Sequence, residues 1–259
     1  ISFTPDNQYT NPQAINLPIN KTIFKLTISY KQDGLGNPCI SEDTVVVWNN
    51  QVYAEADTTI IPNPNIVNIC VDTYRLHGND PSTWDGNEFQ AEGTWSSSTT
   101  ASADEPHVST ALAQNLVRTQ NRSLPNIFTW TIRKGVCSAS NTVSIYNNSF
   151  DIADKPNFIV CSDKATLIGE EPGEYDLASE PYYGEWTIDE GTSAQFVPAT
   201  ESTNYVVNVE NLTLYENKFT WTVYRNGCKA SDEVVVFNNS VESEAGDNIN
   251  SCRSEEHTS

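Results

Sequence analysis

Hydrophobic and polar residues alternate strictly in several short stretches of the chain. Phe128, Trp130 and Ile132 are separated by Thr129 and Thr131, and Phe219, Trp221 and Val223 by Thr220 and Thr222. Successive side chains of a strand point to opposite faces, so a period of two marks strands with one face in a core and one in water. Turn signals follow at once. Lys134-Gly135 and Asn226-Gly227 fit tight connections, and beyond them Val143 and Ile145, or Val234 and Val236, begin a second alternating run. Each pair of runs predicts a β-hairpin. The nearest approach to a helix is "STALAQNLVRTQNRS" (109–123), but its counterpart "STNYVVNVENLTLYEN" from Ser202 is β-rich, so both read as strand plus loop. The expected fold class is all-β.

The runs belong to an internal repeat. Cys70, Cys161 and Cys252 recur at one step (161 − 70 and 252 − 161 are both 91), and Cys137 and Cys228, Trp95 and Trp186, and Trp130 and Trp221 keep it. Rare residues on one period mark a repeated structural unit. Surrounding text agrees: "NIFTWTIRKGVCSASNTVSIYNNS" ending at Ser149 matches "NKFTWTVYRNGCKASDEVVVFNNS" ending at Ser240. An earlier copy, "TIFKLTISYKQDGLGNPCISEDTVVVWNN", ends at Asn50 with a longer turn before Cys39, and "SFTPDNQYTNPQAINLP" resembles "QFVPATESTNYVVNVENLT" from Gln195. Residues 1–50 thus read as the C-terminal half of a truncated repeat, 51–149 and 150–240 as two full repeats, and 241–252 as the start of another. Several short strands per repeat suit a two-sheet, immunoglobulin-like sandwich. Trp95 and Trp186 are expected on a central strand, facing the opposite sheet as core.

Composition narrows the function. Hydrophobic residues at 37% and aromatics at 10% are those of a folding chain, not a disordered one. A formal charge of −20, from 14 Lys+Arg against 34 Asp+Glu, repels nucleic acid, whose binding needs cationic side chains to displace counterions. No apolar run reaches the roughly 18 residues of a membrane span, so no membrane insertion is expected here. The chain opens on Ile1 and contains no Met, which reads as a piece of a longer protein, so a missing export signal says nothing about the parent.

Six cysteines without CxxC pairs read as a disulfide framework rather than a zinc site. Disulfides imply an oxidising compartment, the periplasm, the cell surface or the outside, so a secreted or cell-surface location is expected. Two pairings respect the repeat. Within-copy pairing joins Cys70 to Cys137 and Cys161 to Cys228. The other joins Cys137 to Cys161, Cys228 to Cys252 and Cys39 to Cys70. The first is preferred, because the second makes the chain double back across two strands and a linker. It has its own requirement: in immunoglobulin strand order the end of the first strand and the last hairpin lie at opposite ends, and Cα atoms more than about 7 Å apart cannot be bridged.

The pattern C-x5-L-x-G, G-x-W, N-x-F-x-W-T, a glycine at or just before the second cysteine, then V-x-V is carried by Cys161, Leu167, Gly169, Gly184, Trp186, Phe219, Trp221, Gly227, Cys228, Val234 and Val236. Cys70, Leu76, Gly78, Gly93, Trp95, Phe128, Trp130, Gly135, Cys137 and Val143 carry it in the preceding copy. It resembles the PKD-like and immunoglobulin-like repeats of large Bacteroidetes surface proteins, among them gliding-motility adhesins and type IX secretion cargo. The resemblance implies a spacer or adhesion role and brings no catalytic residue. Departures are the longer turn before Cys39, Leu26 where the other copies have Trp, and an inserted "STWDGNEFQAE" before Trp95. After Cys252 the pattern breaks, and "RSEEHTS" (253–259) resembles a translated sequencing adapter, so this tail is read as foreign.

No constellation for catalysis stands out. The three histidines, His77, His107 and His257, have neither triad nor metal-ligand context. Glu170, Glu171, Glu174, Asp176, Glu180, Asp189 and Glu190 read as solvated loop carboxylates, although such oxygens leave calcium open as a ligand. No DxDxDG-type loop is present. Neither a catalytic nor a cofactor-binding residue is assigned, and no enzyme activity is expected. The expected function is a structural or adhesion module, a semi-rigid spacer or adhesin stalk. Its partners would be neighbouring repeats, surface glycans or other cell-surface proteins. The alternative is a carbohydrate-binding module of a secreted polysaccharide-degrading enzyme, with Trp84 and Phe89 of the insert as glycan contacts.

Overall fold

The structure, a computed structural model, describes residues 1–4, 12–31, 36–57, 65–84, 88–119, 124–173 and 182–246. Cys252, His257, the 253–259 tail, Glu174, Asp176 and Glu180 lie outside the described residues, as does part of the insert (85–87). The chain divides into two units, Ile1–Ser149 and Phe150–Ser259.

The alternating runs are strands. The first unit contains β1 (Ser2–Thr4), β2 (Gln13–Ile15), β3 (Asn20–Tyr30), β4 (Cys39–Asn49), β5 (Ile66–Ile69), β6 (Tyr74–Arg75), β7 (Ala91–Ser97), β8 (Ser102–Ala103), β9 (Leu112–Gln114), β10 (Asn126–Lys134) and β11 (Cys137–Asn147). The second contains β12 (Phe158–Val160), β13 (Ala165–Ile168), β14 (Tyr183–Ile188), β15 (Gln195–Val197), β16 (Val206–Glu210), β17 (Tyr215–Arg225) and β18 (Cys228–Asn238). A 3₁₀ turn at Pro81–Trp84 is the sole helical element among the described residues.

Each full repeat is a two-sheet sandwich, as expected. One copy has sheets β5-β11-β10-β7 and β6-β9-β8, the other β12-β18-β17-β14 and β13-β16-β15. Every second residue of β10 is buried from Asn126 to Lys134. Apolar side chains from both sheets meet in one closed core per copy. The truncated copy contributes the β3–β4 hairpin and the short β1–β2 ladder. Its hairpin carries the same alternation, yet Leu26, Ile28 and Val45 are exposed, because no second sheet among the described residues covers them.

Two expectations need correcting. Trp95 and Trp186 lie on β7 and β14, which end their sheets' order; the central place belongs to β10 and β17, with Trp130 and Trp221. The edge indoles are buried all the same. Loop segments lie along the outer edge, where the backbone N–H of Trp95 donates to Pro106 O and that of Trp186 to Ser202 O, both at 2.7 Å.

The second correction concerns the cysteines. β5 runs parallel to β11, with Ile69 opposite Asn147, and Cys70 follows directly. Cys137 opens β11, ten residues before Asn147, so about 33 Å of strand separates it from Cys70 at ~3.3 Å per residue. β12 and β18 repeat this, with Val160 opposite Asn238 and Cys228 at the far end. The expected pairs Cys70–Cys137 and Cys161–Cys228 therefore do not form. Cys39, Cys137 and Cys161 are free thiols, which also excludes Cys137–Cys161 and Cys39–Cys70. Cys70 and Cys228 are disulfide-bonded.

Candidate functional site: the repeat core and its junction

The recurring glycines create a slot for one indole. Trp130 and Trp95 are directly opposite across β10 and β7, with ring centroids 5.0 Å apart. A Cβ on Gly78 would lie 2.8 Å from the Trp130 ring, and one on Gly93 only 2.2 Å away. The other copy repeats this: Trp186 and Trp221 are 5.1 Å apart, and Cβ atoms on Gly169 and Gly184 would approach Trp221 to 2.7 and 2.1 Å. Any side chain at these glycines would occupy the ring's space. The two central indoles also find acceptors for their ring N–H groups. Trp130 Nε1 donates to Asn79 O at 3.2 Å, and Trp221 Nε1 to Glu170 O at 3.0 Å.

Two sets of asparagines, to which the sequence pattern assigned no role, tie the sandwich ends. Asn126 is fully buried; its Oδ1 accepts from Val117 N and the Thr99 hydroxyl, and its Nδ2 donates to Val117 O. Asn217, one period later, accepts from Thr213 N and the Thr192 hydroxyl and donates to Thr213 O. The second set closes the last strand of all three copies. Asn49, Asn147 and Asn238 donate from Nδ2 to Leu17 O, Leu116 O and Leu212 O at 2.9, 2.9 and 3.1 Å. Each of those leucines follows an asparagine with positive φ, Asn16, Asn115 or Asn211, a conformation asparagine tolerates better than most residues.

At the junction inside the first unit, the end of the truncated copy meets the hairpin end of the next. Lys134, only 1% exposed, donates from Nζ to Asn20 Oδ1 at 2.7 Å and to Trp84 O. A buried ammonium needs such partners. Gly135, with φ +57°, packs so closely on Asn50 that a Cβ would lie 2.6 Å from Asn50 Nδ2. Phe89 meets Trp48 edge-on at 5.6 Å, and Lys21 lies over the Trp48 ring. Tyr53 meets Trp84 edge-on at 4.6 Å. The insert thus packs against the junction. Trp84 is 8% exposed, and its ring, expected as a glycan contact, faces Tyr53 rather than solvent; Phe89 is half-buried.

The linker is pinned by Asp57, which sequence reading missed. Its backbone N–H donates to His77 O at 2.8 Å, and its buried carboxylate accepts from His77 N and the Tyr74 hydroxyl, with His77 Nδ1 also within 3.2 Å. Burial pushes the Asp57 carboxyl above its ordinary value, against the lowering effect of these partners. Tyr74 is pushed up to about 12, first by burial and then by the Asp57 charge. His107 Nδ1 lies 3.2 Å from the Thr94 hydroxyl, so His77 and His107 have different hydrogen-bond partners.

In the second unit Arg225 takes the position of Lys134. Its guanidinium lies 4.7 Å from the Phe150 ring centroid, donates to Pro172 O at 2.7 Å and pairs with Glu170 at 3.1 Å. Glu170 Oε2 also accepts from Ala153 N, so one of the expected loop carboxylates holds the linker. No group of three or more His, Cys, Asp or Glu that could hold a metal occurs among the described residues.

No known family profile matches the chain, and no curated protein matches it. Solved structures similar to it include the PKD domain of human KIAA0319, at 14% identity over 38% of this chain and 86% of that one, with a TM-score of 0.28. Extracellular domains 3–5 of Drosophila OTK are 10% identical over 83% and 71%, and the I67–I69 I-band fragment of titin 12% identical over 84% and 75%, each with a TM-score of 0.35. These are likenesses of chain path alone.

Proposed function

We propose that the chain is a non-catalytic structural and adhesion module of a large secreted or cell-surface protein, of the kind found in Bacteroidetes adhesins, serving as a semi-rigid spacer or stalk. One observation carries this reading: each full copy closes a separate core around its own indole slot. Units built in this way resist and yield locally. The junction of the first unit supports it further, because Lys134, Asn50 and the Trp48–Phe89 contact oppose bending between successive copies. Disulfide-bonded Cys70 and Cys228 favour an oxidising compartment. The carbohydrate-binding reading has less support, since the Trp84 ring is covered.

Single-molecule stretching tests the stalk reading. With the disulfides of Cys70 and Cys228 reduced beforehand, each full copy is expected to unfold in its own step, lengthening the chain by roughly 30 nm at ~3.6 Å per residue. A single joint step would overturn it.

A further inference from the structure

Outward-facing positions of β14 and β17 are polar except at one end, where two aromatic rings stand. The opposed pairs are Thr187 with Thr220, Glu185 with Thr222, and Tyr183 with Tyr224. The tyrosine rings stack, with centroids 4.5 Å apart and planes 13° from parallel. Tyr183 is 48% exposed and Tyr224 half-buried, and no described residue hydrogen-bonds to either phenol. One period earlier the same two positions hold Glu92 and Arg133, again directly opposite each other. Opposite charges and aromatic rings both stabilise facing strand positions, so the sandwich itself does not require rings there.

Tyr224 covers one face of the Tyr183 ring. The other face lies on the side where the sheet stops, since β14 is last in the order β12-β18-β17-β14. A sugar ring matches such a surface. Its C–H face is apolar, with slightly positive hydrogens drawn to the negative π face of an aromatic ring, while its rim hydroxyls need polar partners. These stand alongside: Glu185 is the next outward residue of β14, and the Thr222 and Ser231 hydroxyls lie 2.9 Å apart on the same face. Mutual stacking also fixes both rings before a ligand arrives, which lowers the ordering cost of binding.

We propose that Tyr183 and Tyr224 form a glycan-binding platform on the second full copy, taking the sugar rings of an uncharged polysaccharide. Charge selects the class: at a formal −20 the chain repels polymers that carry uronate or sulfate. The platform is separate from Trp84 and Phe89, which lie in the other copy. It goes beyond the stalk reading and does not rest on it, because surface rings bind or fail to bind whatever the cores do under load.

The test is titration of the whole chain with cello-, manno-, xylo- and chito-hexaose, followed by saturation-transfer NMR and calorimetry. Saturable binding of at least one is expected. Tyr183→Ala should weaken it about tenfold, the loss of one stacked ring. The double variant Tyr183→Glu with Tyr224→Arg installs the pair that the first full copy already carries. It should bind none of the four sugars while keeping the parent's circular dichroism and melting temperature. No binding of any of them by the parent chain would overturn the proposal, as would undiminished binding by Tyr183→Ala or by the double variant. Self-association of the parent that the double variant abolishes would also overturn it, making a second copy of the chain the occupant.

Discussion

The two full copies agree in their interiors and differ at their ends. Trp130 with Gly78 and Gly93, and Trp221 with Gly169 and Gly184, make the same slot to within about a tenth of an ångström in their would-be Cβ contacts. Asn126 and Asn217 tie the same loop in the same manner. At the hairpin end the copies part. Lys134 is sealed under Trp84 and Asn20, whereas the Arg225 side chain is 22% exposed and stacks on Phe150. Interior positions answer to a single indole and tolerate little; end positions answer to whatever lies against them and have diverged.

The comparison can be broken most directly at the indole. Trp130→Ala is expected to cost its own copy about 4 kcal/mol, the usual scale for emptying a large aromatic site, and Trp221→Ala the same in the other. Denaturant unfolding followed by the remaining tryptophans should show one transition moving; equal movement of both would deny that the cores are separate. Gly93→Ala and Gly184→Ala come next, at roughly 3 kcal/mol, from forcing a methyl into occupied space. If either stabilised its copy, the slot would be misread. Asn126→Ala and Asn217→Ala should each cost about 2 kcal/mol, because buried backbone groups of the tied loop lose their partners. Unequal losses in the two copies, by the same unfolding assay, would show that the tie is not shared.

The smallest effect separates the copies rather than equating them. Tyr74 is pushed from 10 up to about 12 in the folded state, so its contribution is fully present below pH 10 and lost as pH rises toward 12. Tyr74→Phe should remove that alkaline loss from the first full copy alone, read by unfolding at pH 9 to 12. Asp57, also raised, stabilises most below its ordinary 3.8 and less as pH rises through its folded value. Asp57→Asn should therefore flatten the acid side of the same profile.

Much of this was legible in the sequence. Rare residues on a fixed step announce a repeat, and alternation around Trp130 and Trp221 announces the hairpins. The glycines were visible as letters of a pattern, but their reason, an indole within van der Waals reach, needs three dimensions. Asn126 and Asn217 stood in the same pattern without a role, since nothing in the order of residues says that a loop nine or four positions earlier will fold back onto them. The cysteines misled for a related cause: spacing gives no strand direction, and the parallel course of β5 decides which end Cys70 occupies. Trp84 looked like an unassigned aromatic because the residues that cover it belong to the linker.

That parallel course has a consequence under load. Tension applied through the two ends of a copy drags β5 and β11 past each other along their common axis. The backbone bonds between Ile66–Ile69 and their partners on β11 are then strained in shear, all together rather than one after another as in an unzipping hairpin. A very short ladder placed in this way serves as a catch, and β12 on β18 is its duplicate.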